Sequence, residues 1–338
     1  MTERNEQIAL ARRPEGMPRP EDFRIEAASM PVPSAGEVLV RTIHISLDPY
    51  LRGRMAGPLP YATGYELDQP MDSDVTAQVV ASRDPAFKEG DHVLGFLKWQ
   101  RFIPTKARDL RRIYPELAPL SAHLGVLGMP GHTAYVGLLD FGQPKEGEAV
   151  FISAAASTVG SLVGQIAKMK DCYVAGSAGS DDKVRFCLKE CGYDACFNYK
   201  TAERLDKAVK EACPKGIDVY FENVGGAMLD AVLKNINLYA RIPVCGMISQ
   251  YNLTRHEGIH NLIAILGRRA RMQGFIIEDH MDRFAPFFAD VSRWIQEGKV
   301  KYREHITQGI ENLPQAFIDM LNGTHLGKAI VQVGPEGL

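Results

Sequence analysis

The chain has 338 residues, 39 Lys or Arg against 41 Asp or Glu, a formal net charge of −2 and a hydrophobic content of 45%. That length supports about two domains with substantial cores. The mixed, nearly balanced charge, without a basic tract or aromatic–basic interleaving, argues against a nucleic-acid partner, and no apolar run is long enough to span a bilayer.

Residues 1 to about 124 read as short strands and turns. Glu37–Ile45 begins apolar and then alternates, Val75–Ser82 is β-prone, and Gly90–Phe96 is a turn entering a strand. Frequent prolines here predict an irregular β-barrel. From about Leu124 strands alternate with helices. Strand Ala149–Ser153, turn Ala154–Gly160 and helix Ser161–Lys170 come first, with Leu162, Val163, Ile166 and Met169 on one helix face. Next come strand Cys172–Ala175, helix Asp181–Glu190, strand Ala195–Asn198 and helix Arg204–Cys213. Strand Ile217–Glu222, helix Met228–Ile236 and strand Ala240–Cys245 follow. Helix Ile259–Leu266, strand Arg271–Ile276 and helix Asp282–Glu297 end the run. Such alternation predicts an α/β doubly wound parallel sheet of the dinucleotide-binding kind. Helix Leu313–Leu321 and strand Lys328–Val333 return to the first domain, so the expected division is 1–124 with 305–338, and 125–304.

The turn after the strand Ala149–Ser153 is the expected phosphate site. Small residues let the backbone approach a pyrophosphate, and a helix N-terminus offers N–H groups and partial positive charge. Ser157, Thr158, Val159 and Gly160 are the candidates. An NAD-binding strand end carries an acid for the ribose hydroxyls. Here the second strand ends Ala175-Gly176-Ser177-Ala178-Gly179-Ser180, without one, and Lys183 follows a turn later. NADPH is therefore expected over NADH, with a solvated helix lysine as the plainer reading of Lys183. Asp181 and Asp182 are expected to cap the helix and complement its dipole. The six cysteines, Cys172, Cys187, Cys191, Cys196, Cys213 and Cys245, form no Cys-x-x-Cys and read as buried thiols. Met1–Arg13 lacks the apolar core of a signal peptide, so the expected location is the cytoplasm.

Several stretches together resemble one family. They are Asp48-Pro49-Tyr50-Leu51-Arg52-Gly53-Arg54-Met55, Gly128-Met129-Pro130-Gly131-His132-Thr133-Ala134-Tyr135 and Gly142-Gln143-Pro144-Lys145-Glu146-Gly147-Glu148. Farther on come Tyr220-Phe221-Glu222-Asn223-Val224-Gly225-Gly226 and Cys245-Gly246-Met247-Ile248-Ser249-Gln250-Tyr251-Asn252. In this order the chain resembles a zinc-independent medium-chain dehydrogenase/reductase of the leukotriene/prostaglandin reductase and curcumin reductase branch.

The resemblance implies a GroES-like barrel domain, a Rossmann domain and a homodimer joined through the Rossmann sheets. It implies NADPH-dependent reduction of the carbon–carbon double bond of an α,β-unsaturated ketone or aldehyde. It places Lys183 and Tyr199 around the 2′-phosphate and Tyr251 beside the nicotinamide ribose and substrate, where a phenol stabilises charge developing on the carbonyl oxygen. An aromatic lid residue is the alternative for Tyr251. Tyr50 and Arg52 are read as lining the substrate site, or else as a packed strand end and an ion-pair partner. Asn223 and Gly225 follow the fourth strand, at the sheet's carboxyl edge. His325 stands where the family's loop before Gly327-Lys328 usually carries Asn, and Ser157 stands where many relatives have the first glycine. The zinc-dependent pattern is missing: the first domain has no cysteine, and His44, His92, His123 and His132 read as turn or packing residues. A zinc-free quinone oxidoreductase and a non-catalytic NADPH-binding protein are the competing readings.

Overall fold

A computed structural model describes residues 4–336. The chain divides into two compact units, one reaching Gly125 and resuming at Glu304, the other spanning Val126–Arg303.

The first unit opens with β1 (Asn5–Leu10) paired antiparallel to β2 (Phe23–Ala28). β3 (Glu37–Ser46) is buried from Val38 onward. A short helix α1 (Leu51–Ala56) follows, then β4 (Asp72–Ser82), β5 (His92–Lys98), β6 (Phe102–Lys106) and β7 (Leu110–Arg112).

The second unit begins with α2 (Met129–Val136), then β8 (Ala149–Ile152) and α3 (Thr158–Lys168). The alternation continues with β9 (Tyr173–Ala178), α4 (Asp181–Lys189), β10 (Ala195–Asn198) and α5 (Leu205–Ala212). It ends with β11 (Ile217–Phe221), α6 (Gly226–Leu233), β12 (Ile236–Val244), α7 (Ile263–Arg268), β13 (Arg271–Gly274) and α8 (Phe284–Gln296). The six strands lie in the order β10-β9-β8-β11-β12-β13, all parallel. This is the doubly wound Rossmann order, whose direction reverses between β8 and β11 and leaves a crevice at their carboxyl ends. β8 is buried at every position, as a central parallel strand covered on both faces must be.

The chain then returns to the first unit through β14 (Glu304–Gln308), α9 (Leu313–Leu321) and β15 (Lys328–Gln332). The GroES-like unit is built on a seven-stranded sheet ordered β14-β15-β3-β4-β5-β7, with β6 also on β3. β3 divides one edge between two partners, Glu37–Arg41 facing β6 and His44–Ser46 facing β15. Trp99 and Phe317 meet edge-on at 6.0 Å in the core beneath.

Several boundaries and caps differ from the sequence reading. α3 starts at Thr158, because Ser157 is its N-cap: the Ser157 hydroxyl accepts the Gly160 N–H at 3.0 Å. Ser180 likewise caps α4, with Asp181 and Asp182 in the first turn instead of at the cap. α7 is shifted to Ile263–Arg268 and buries none of its residues, so no packed face fixes its position.

Candidate cofactor and active site

The crevice between β8 and β11 begins with the Ala154–Gly160 turn. A Cβ on Gly160 would lie 2.4 Å from the Ala154 carbonyl oxygen, so only glycine allows this turn. Tyr193 clamps it from below, its hydroxyl donating to the Gly160 carbonyl at 2.8 Å. The first-turn N–H groups of a helix lack intrahelical acceptors and favour an anion. Thr158, Val159 and Gly160 occupy that turn, and Ser157 engages one of its donors.

At the end of β9, Gly179 sits under Tyr199: a Cβ there would lie 3.2 Å from the Tyr199 hydroxyl. Burial lowers the Lys183 ammonium from its ordinary pKa, and the nearby Lys200 ammonium lowers it further. The two aspartates of the first turn are engaged elsewhere. Asp181 accepts from the Asn198 amide at 2.9 Å, and Asp182 pairs with Arg185. Two mutually repelling ammonium groups, with neighbouring carboxylates drawn aside, fit a dianionic 2′-phosphate.

The other end of the crevice is organised by Glu222. Its carboxyl is fully buried, and Oε1 accepts from the Val224 N–H at 2.5 Å, the Gly225 N–H at 2.9 Å and the Ser153 hydroxyl at 3.1 Å. Burial raises its pKa above the ordinary carboxylate range. Asn223 bonds Ser153 twice, N–H to hydroxyl at 2.9 Å and side-chain amide to carbonyl at 2.8 Å. Gly225 has φ of 76°, and a Cβ on it would meet Met247 at 3.0 Å. The loop beyond β12 brings Tyr251 to the same edge, where its hydroxyl accepts the Met247 N–H at 3.3 Å. Asn223, Gly225 and Tyr251 therefore share one sheet edge. Neither Glu222 nor Ser153 was singled out from sequence. The signal was present, since an acid ending the buried run Ile217–Phe221 must find hydrogen-bond donors.

In the first unit, Tyr50 precedes α1, well beyond the end of β3, so it is not a strand end. It is half-buried against the core, and burial, with Asp48 and Asp74 nearby, raises its pKa. Arg52 lies in α1. Its guanidinium is buried and donates to the Gly16 carbonyl at 2.7 Å and the Pro14 carbonyl at 3.2 Å. These bonds tie down a loop of its own unit. His325 stacks on His305, with centroids 4.1 Å apart and planes at 14°.

The four first-half histidines have local roles. His44 bonds Thr76 at 3.1 Å, His92 bonds the Glu336 carbonyl at 3.0 Å, and His132 stacks on Phe287. His123 is buried. Among the described residues no three His, Cys, Asp or Glu side chains are grouped to hold a metal ion. The six cysteines are unbridged, and four of them are buried.

Residues 6–113 match the family described as the N-terminal domain of oxidoreductase, and residues 158–293 match the zinc-binding dehydrogenase family. The NADPH-dependent curcumin reductase of Escherichia coli (strain K12) is 44% identical over 340 residues, covering 99% of this chain and 98% of that protein. The chain belongs to the medium-chain dehydrogenase/reductase family. Within it, the 2-alkenal reductase (NADP(+)-dependent) of Nicotiana tabacum is 43% identical over 337 residues, covering 98% of each chain. The crystal structure of CurA from Vibrio vulnificus in complex with NADPH superposes with a TM-score of 0.93 at 43% identity, covering 98% of this chain and 99% of that one. These similarities place this medium-chain dehydrogenase/reductase in the branch of curcumin and prostaglandin reductases. Its second-unit match is described by zinc, yet the first unit contains no cysteine.

Proposed function

We propose that this chain reduces the carbon–carbon double bond of α,β-unsaturated ketones and aldehydes, using NADPH and no metal. One observation carries the reading most directly: the Tyr251 phenol shares the crevice edge with Asn223 and Gly225, on the same Rossmann sheet whose other end gathers Lys183 and Lys200.

Ser157, Thr158, Val159 and Gly160 would hold the pyrophosphate at the start of α3. Gly179, Lys183 and Tyr199 would hold the 2′-phosphate, and Asn223, Gly225 and Tyr251 the nicotinamide ribose. Tyr50 and Arg52 are the first unit's candidates for substrate, and His325, in the loop before Lys328, its candidate for the cofactor. When bound, NADPH supplies the hydride accepted by the substrate's β-carbon. The task left to the protein is electrostatic. As negative charge develops on the carbonyl oxygen, a phenol held by its own acceptor bond from Met247 donates its proton's hydrogen bond there. A donor so placed contributes roughly 3 kcal/mol to transition-state stabilisation. Tyrosine's reference pKa of about 10 keeps the phenol protonated at neutral pH.

The reading extends to assembly and location. β13 is an edge strand, and beside it α7 exposes Leu262, Ile263 and Leu266 at 52%, 73% and 74%. An edge strand with open backbone groups and an apolar neighbour suits pairing with a second copy. No helix among the described residues is long and apolar enough to cross a membrane. With unbridged cysteines this supports a reducing compartment, the cytoplasm.

The direct test is NADPH consumption with an enone such as 3-nonen-2-one, with the product identified by mass. A saturated ketone in stoichiometric yield supports the proposal. Turnover with quinones alone would favour quinone reduction. NADPH binding without turnover of enones, enals or quinones would favour a non-catalytic protein.

A further inference from the structure

The Glu222 carboxyl lies away from solvent, and the reaction as described leaves it unused. Its surroundings assign it a task. Oε1 gathers three donors, the Val224 and Gly225 N–H groups and the Ser153 hydroxyl. Oε2 is buried without a hydrogen-bond partner. Ser153 is itself fully buried and also receives the Tyr220 hydroxyl at 3.2 Å and the Asn223 N–H at 2.9 Å. The turn 222–225 is thus held from inside by one carboxyl and one hydroxyl.

The loop carrying Tyr251 is fastened to that turn. The Glu222 carbonyl accepts the Cys245 and Gly246 N–H groups at 2.9 and 3.2 Å. The Asn223 carbonyl accepts the Ile248 N–H at 3.1 Å, and the Val224 carbonyl accepts the Ser249 N–H at 3.0 Å and its hydroxyl at 2.6 Å. The Met247 N–H then reaches the Tyr251 hydroxyl. The carbonyls of Glu222, Asn223 and Val224 each accept from the loop, so rotation of these peptides displaces the loop. A buried acid confers less stability than an apolar residue of equal volume, whereas three converging donors fix peptide orientation.

We propose that Glu222 is a positioning residue for Tyr251: by fixing the peptide planes of Val224 and Gly225, it sets the place of the 245–251 loop and hence of the phenol. This rests on Tyr251 being the donor to the substrate carbonyl. A displacement of about 1 Å in such a group costs about 100-fold in rate. The phosphate-binding residues lie at α3 and at the end of β9, away from this turn, so NADPH affinity falls less than kcat.

The experiment is a double-mutant cycle of Glu222→Ala and Tyr251→Phe, read as kcat for 3-nonen-2-one at saturating NADPH. NADPH affinity is followed by fluorescence and folding by circular dichroism. Glu222→Ala is expected to lower kcat about 100-fold with a smaller loss of NADPH affinity. The double variant should be no slower than Tyr251→Phe alone, and Glu222→Gln, which keeps the Oε1 acceptor, should recover most of the loss. Ser153→Ala provides a milder variant should Glu222→Ala fold poorly, and it must show the same non-additivity. Losses that multiply in the double variant, or a Glu222→Ala defect confined to NADPH affinity, overturn the proposal. Full kcat in Tyr251→Phe alone instead overturns the reading of Tyr251 on which it rests.

Discussion

Lys328 Nζ lies 2.5 Å from Asp48 Oδ1, an ion pair between residues 280 positions apart, with both side chains buried. Lys328 also donates to the Leu47 carbonyl at 2.9 Å, and Ser46 donates to the other Asp48 oxygen. The pair joins the Asp48–Met55 stretch to the start of β15. Removing one partner of a buried pair strands the other charge, at a cost of about 3–5 kcal/mol. Lys328→Met is therefore expected to lower stability by about that amount in urea unfolding, and Lys328→Met with Asp48→Leu to recover a large part. Equal stability of the single and double variants would refute the pairing.

Lys183→Ala should raise KM for NADPH by about 10- to 100-fold, the loss of one charge-assisted hydrogen bond, while KM for NADH stays unchanged. Lys200→Ala should act in the same direction. Steady-state kinetics with both cofactors decides, and equal losses with NADH would remove the 2′-phosphate assignment.

Acid should weaken the fold in a defined window. Burial lowers the pKa of His44, His123 and His132 from 6.5 to about 4. Between those values the unfolded chain binds protons that the folded chain refuses, so stability is complete above pH 6.5 and is lost as pH falls toward 4. The slope is roughly 1 kcal/mol per pH unit for each histidine at its steepest. Thermal melts from pH 7 to 4 should show the decline, and His44→Gln should flatten it. A Tm independent of pH across this range would contradict the buried neutral state.

Ile263→Asp combined with Leu266→Asp places charge on the exposed face of α7. Light scattering should report a dimer for the parent and a monomer for the variant, with each Rossmann unit still binding NADPH. A monomeric parent would dismiss pairing through this edge.

The alternation of strands and helices was legible because each parallel strand announces itself as a short apolar run and each helix by its period. What stayed hidden depended on a partner far along the chain or on a single hydrogen bond. Ser157 reads as a missing glycine until its hydroxyl is seen capping α3. The Arg52 guanidinium donates to the carbonyls of Pro14 and Gly16, whose approach no local pattern encodes. Glu222 is visible as an acid closing an apolar run, but its meaning depends on Ser153, 69 positions earlier.

The place of β15 between β14 and β3 has a consequence for biosynthesis. While the polypeptide is emerging from the ribosome, the His44–Ser46 edge of β3 has no strand to accept it until residues 330–332 are made. The Rossmann unit, contiguous in sequence, is finished first. Nascent chains halted before β15 therefore carry a completed nucleotide fold beside an open sheet, the state in which chaperone binding is most needed.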